Sequence, residues 1–141
     1  MTAPAVDDVR QALATQLSTI DGLHGYGYSP TVLDVPCAVV SLPSIPEDMS
    51  FQSGLEVHSY TVTVYVGQGD IKTSEVRLAG YLSATGTYSV KACLNTKGPN
   101  ALVTGVNEIR VSSRRALSPA EMGEEPYLAA EFQVDVYQSG A

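Results

Sequence analysis

Apolar positions along this chain follow two rhythms, one helical and one alternating. Val6, Val9, Leu13, Leu17 and Ile20 recur at the spacing of a single helix face, which predicts an amphipathic helix over residues 6–20. Pro4 is tolerable in a first turn, and Asp7 and Asp8 lie where the helix dipole favours anions. Gly22 is the expected stop. The apolar stripe needs a sheet to pack on.

The alternating rhythm is longest over residues 55–66. Glu56, His58, Tyr60, Val62, Val64 and Val66 share one face, and Leu55, Val57, Ser59, Thr61, Thr63 and Tyr65 share the other. Such a strand spans ~40 Å at the usual rise, more than a small domain needs. Residues 127–138 alternate in the same way, and residues 101–113 read as a further strand. Residues 36–42 form a compact apolar strand bracketed by Pro36 and Pro43, and residues 23–28 a short extended segment rich in Gly and Tyr. Proline belongs at such strand ends because it cannot donate to a ladder.

Between the strands lie two helical segments. Asp70 is placed to cap a helix reaching about residue 83, with Ile71, Leu78 and Leu82 on its buried side and Gly86 beyond its end. Ser89 is placed to cap a short helix through Asn95, with Val90, Cys93 and Leu94 inward. Residues 97–100 form a turn, and residues 114–126 a polar linker. The order is α-β-β-β-α-α-β-β, which predicts an α+β domain spanning residues 1–141. Its sheet is mostly antiparallel, with helices packed on one face.

The connection over residues 44–54 is long for a compact domain, and such loops usually carry function. It holds Ile45, Met49 and Phe51 beside Glu47 and Asp48. With the start of the long strand it is expected to project as a hairpin around residues 44–57. This hairpin would contact a partner or a neighbouring copy.

Charge adds to this picture. The net charge is −7. Residues 1–70 carry eight acids against Arg10 alone, and residues 116–141 carry five acids and no base. Residues 91–115 carry Lys91, Lys97, Arg110, Arg114 and Arg115 against Glu108. An acidic chain is a poor ligand for nucleic-acid phosphate, whose affinity comes from neutralising cations. The basic stretch suits head-to-tail contact between copies, in which Arg110, Arg114 and Arg115 meet acids of a neighbour. The other reading is a solvated surface with chance clustering. Only 16% of residues are charged against 44% apolar, so a partner covering some apparent surface is an option.

No catalytic constellation is legible. Gly67-Gln68-Gly69 lies between a strand and a helix, but Lys72 stands where a dinucleotide loop needs its third glycine, and Asp70 would repel phosphate. It reads as a strand-to-helix turn. The soft metal ligands His24, His58, Cys37 and Cys93 have no metal-site spacing. No nucleophile elbow exists, and Cys37 sits mid-strand, where a thiol is inert. Adjacent pairs such as Glu124-Glu125 do not face each other on any regular element. Both cysteines are expected as buried free thiols, consistent with a reducing compartment. The N-terminus shows no secretion signal, and no apolar run approaches the ~20 residues needed to cross a bilayer. No cofactor is expected.

The runs VRQALATQLSTIDGLHGYGYSP, VPCAVVSLP, LEVHSYTVTVYVG, YLSATGTYSVKACL and AAEFQVDVY, taken in order, resemble tail terminator (tail completion) proteins of long-tailed phages, those of actinobacterial siphophages above all. The resemblance covers nearly the whole chain and is one of order and texture. It implies a structural virion protein, not an enzyme, made in the host cytoplasm. Such proteins form a homo-hexameric ring on the head-proximal end of the tail tube, stop its polymerisation and join the tail to the head connector. The implied partners are other copies, the tail tube protein and the connector. DNA passes through the lumen without specific binding, and no membrane is involved. Head–tail connector or head-closure proteins of the neck, and tail tube proteins, are the neighbouring alternatives.

Overall fold

The central pair of strands organises the molecule. A computed structural model of the chain describes residues 6–20, 22–28, 36–45, 55–67, 71–95, 106–116 and 127–139. Its elements are α1 (Val6–Leu17), β1 (His24–Tyr26), β2 (Cys37–Val40), β3 (Leu55–Gly67), α2 (Ile71–Leu82), α3 (Val90–Leu94), β4 (Val106–Ala116) and β5 (Tyr127–Ser139). The predicted order is the observed order. The strands form a five-stranded sheet in the order β1-β2-β3-β5-β4. β3 and β5 pair antiparallel along their full length, from Leu55↔Ser139 to Gly67↔Tyr127. The β1–β2 pair is parallel, so the sheet is mixed, and every other pairing is antiparallel.

Register explains why the alternation in β3 and β5 is so regular. Tyr60 stands opposite Val134, Val62 opposite Phe132 and Val64 opposite Ala130. On one side, Val40 and Ala38 extend these rows; on the other, Val111 extends the Tyr60–Val134 row, and Ile109 stands opposite Val136. All of these residues are buried, and the helices cover this face. α1 lies over β1 and β2, α2 over β3, β5 and β4, and α3 between them. Val9, Leu13 and Leu17 of α1 join Leu78 and Tyr81 of α2, and Val90 and Leu94 of α3, in the core. Each such side chain contributes about 1.5–3 kcal/mol by leaving water.

The opposite face of the sheet carries polar residues along the middle of β3 and β5 beside Val39, Tyr65 and the buried Cys37 and Ala129. Ser59, Thr61 and Thr63 of β3 and Glu131, Gln133 and Asp135 of β5 are half-buried along it. Ser59 Oγ donates to Asp135 Oδ1 at 2.8 Å. This split into an apolar face and a hydroxyl-rich face is what a period of two encodes.

Two element ends and one buried face differ from expectation. α1 ends at Leu17, because Thr19 and Ile20 donate to Gln16 and Leu17, three residues back, and tighten the last turn. Ile20 is still buried, and Gly22 follows at φ +79°. β4 runs three residues further than predicted, to Ala116, so Arg114 and Arg115 belong to the strand rather than to a linker. The register slips at Asn107 and Ser112; these bulges break the alternation, which hides the strand's end from a period-two reading. On α2 the buried residues are Ser74, Leu78 and Tyr81, with Leu82 only partly covered. The side chain of Ile71, like residues 101–105 and the predicted turn at 97–100, falls outside what is described.

Candidate assembly surface

The base of the predicted hairpin is present. Beyond β2, Ser41 N donates to Thr61 O at 2.9 Å, and Ser44 and Ser59 exchange both backbone bonds at 2.8 and 3.0 Å. Leu42 and Pro43 stand opposite Tyr60 alone in this stretch, so the chain bulges there. Leu42 is pushed out to 68% exposure, while Ile45 is half-buried. The described residues stop at Ile45 and resume as β3 at Leu55. Glu47, Asp48, Met49 and Phe51 lie outside the described residues.

The three arginines sit on β4, at one end of the sheet, and all three are exposed. Each has a partner within the chain. Arg110 meets Glu108 at 3.0 Å, and Arg115 meets Glu131 of β5 at 3.5 Å. Arg114 Nη1 donates to Leu82 O at 3.0 Å, a cation on the C-terminal carbonyls of α2, where the helix dipole favours it. The bulge at Ser112 sends Arg114 to the helical side, leaving Arg110 and Arg115 on the polar face. The two side chains in ion pairs keep more than half of their surface in solvent, 58% and 53%.

Two further exposed side chains were not legible in the sequence. Val76 on α2 is 66% exposed, and Tyr88 is 37% exposed. The Tyr88 ring lies edge-on to Tyr81 at 6.2 Å, under the Arg77 guanidinium at 5.8 Å. Val76 lies off the 71/78/82 stripe, the one hint the helical periodicity offered. Arg next to Tyr is a common composition at protein contacts.

His24 of β1 stands opposite Cys37 of β2 in the ladder, while His58 and Cys93 lie on other elements. Cys37 and His58 are buried in the sheet, His24 is exposed on β1, and Cys93 lies on α3. Neither cysteine forms a disulfide. Among the described residues no three His, Cys, Asp or Glu side chains gather as a metal site. A shallow cleft of about 270 Å³ includes Gln16, Thr19, Ser89 and Cys93 in its lining. The Cys93 thiol donates to Gln16 O at 3.2 Å. Burial pushes its pKa up, against smaller opposing effects of its bonds to Thr19 and Gln16. That is the reverse of an activated thiolate. Gly67, the first glycine of the turn, has its carbonyl held by the Ser74 hydroxyl of α2. No helix among the described residues is long and apolar enough to cross a membrane.

The whole architecture can be compared with known proteins. No protein-family model matches the chain, and no curated protein does. Among solved structures, a chain from the virion of a native gene transfer agent particle superposes with a TM-score of 0.53 at 13% identity. The two chains share a fold. The match covers 91% of this chain and 84% of the other, so it includes the sheet and the helical layer together.

Proposed function

We propose that this chain is a structural component of a phage-like virion, and within it a tail terminator. In this reading copies form a ring, expected to be hexameric, on the head-proximal end of the tail tube. The ring stops tube polymerisation and joins the tail to the head connector, with no enzymatic step. The observation that carries the reading is fold likeness over nearly the full length to a chain of a virion particle. It agrees with the tail-terminator resemblance of the sequence runs quoted above.

Within the reading, the base of the hairpin at Ser44 and Ser59 carries residues 46–54 toward the tube or a neighbouring subunit. Arg110 and Arg115 on β4 meet acids of the adjacent copy, exchanging weak internal pairs for contacts across the ring. Exposed pairs of this kind hold a chain together by only about 0–1 kcal/mol, so re-pairing between copies costs little. DNA passes the ring without specific contact, as suits a chain of net charge −7.

The test is electron microscopy of purified tail tube protein polymerising with and without this chain. Short tubes with a ring at one end support the terminator reading. Unchanged tubes, with binding to a capsid connector instead, assign the chain to the neck.

A further inference from the structure

An open sheet presents rows of unpaired N–H and C=O groups at its ends, each a template for another strand. For a protein that assembles from identical copies this is a hazard. Head-to-tail joining that does not close into a ring grows into an open filament. In this chain a side chain from the helical layer occupies a backbone group of the end strand β4 and, near the other end, one of β2 beyond its last pair with β1.

At one end, Val111 N of β4 donates to Asn95 Oδ1 at 2.7 Å. Asn95 is the C-cap of α3, held there by its own N–H to Lys91 O. At the other end, among the described residues, β1 pairs with β2 from His24↔Cys37 to Tyr26↔Val39. Ser41 N turns to β3, so the alternation of an antiparallel ladder turns the Val40 carbonyl to the β1 side. There, just past the last β1 pair, Val40 O accepts from Arg10 Nε at 2.6 Å. The bulges at Asn107 and Ser112 distort the β4 edge further.

We propose that Asn95 and Arg10 are edge guards, which keep copies of this chain from joining strand to strand and leave side-chain contacts as the way in which copies meet. The guards follow from geometry alone; their use in limiting growth to one ring rests on the terminator reading above.

The experiment uses the full chain and three variants: Asn95→Ala, Asn95→Asp, which keeps an acceptor oxygen, and Arg10→Ala. Hydrogen exchange of the Val111 amide and sedimentation over a range of concentrations are measured, with circular dichroism as the check of folding. The wild type and Asn95→Asp should protect Val111 and sediment alike. Dilute Asn95→Ala should exchange Val111 about tenfold faster, the loss of one hydrogen bond. It should also form larger species as concentration rises, in which Val111 is protected again. Arg10→Ala should associate through the other end. Folded variants that sediment as the wild type at every concentration would overturn the proposal. So would variants that fail to fold at both positions, since the two side chains would then build the fold rather than guard it. Either failure leaves tube capping by the wild type untouched, so the two readings fall separately.

Discussion

Gly25 of β1 lies directly beneath Ala14 of α1. A Cβ at Gly25 would stand 2.1 Å from Ala14 O, and Gly25 N donates to Ser18 Oγ at 3.1 Å. α1 thus rests on the backbone of β1, an approach only glycine permits. Gly25→Ala must lift the helix from the sheet edge. The expected loss is about 1–3 kcal/mol, the usual cost of overpacking, measured as a lower urea midpoint with an unchanged slope.

Ser89 ties α3 to the end of α2. Its Oγ accepts from Ala92 N at 3.0 Å and donates to Ser83 O at 2.6 Å, and the residue is buried. Ser89→Ala removes the cap and strands the Ser83 carbonyl. A loss of about 1–2 kcal/mol is expected in thermal or urea unfolding.

Tyr60 makes stability depend on alkaline pH. The phenol is buried, its hydroxyl has no hydrogen-bond partner among the described residues, and burial raises its pKa from 10.0 to about 12 against the opposing charge of Arg10. Because the folded pKa is the higher one, this contribution is fully present below pH 10. It is lost as pH rises through about 12. Tyr60→Phe should flatten the fall in stability over that window. At neutral pH it should be near neutral or stabilising, because it removes an unpaired hydroxyl.

The three arginines should separate by role. Arg114→Met removes a cation from the carbonyl end of α2 and should cost about 0.3–1 kcal/mol of stability. Arg110→Met with Arg115→Met should leave stability within about 0.5 kcal/mol, since exposed ion pairs hold little. It should nonetheless weaken association between copies, as should raising salt to about 1 M, where charges are screened beyond about 3 Å. Association insensitive to both would remove the arginines from the contact.

Much of the fold was legible in the residues, and the reasons are physical. Tyr60, Val62 and Val64 alternate with Ser59, Thr61 and Thr63 because the first three are buried under the helical layer and the second three are only half-buried on the other face. Val9, Leu13 and Leu17 mark the helical stripe for the same reason. The end of β4 was not legible, because a bulge at Ser112 shifts the phase and polar side chains occupy both faces of an edge strand. Asn95 and Arg10 were not legible either. Their partners are backbone groups of Val111 and Val40, far away in sequence, and backbone groups leave no mark on composition. Of the candidate surface, Arg110, Arg114 and Arg115 are on β4 and exposed, but only the structure separates Arg114, turned to α2, from the other two. The exposure of Tyr88 was not legible either, because its packing beside Gly80 of α2 and against Tyr81 is set by tertiary placement.

The most direct test of the central claim is the length of tail tubes assembled in vitro, counted in micrographs with this chain added before polymerisation. The terminator reading predicts tubes that stop short, each with one added ring at one end and none at the other. Tubes of unchanged length and bare ends would contradict it.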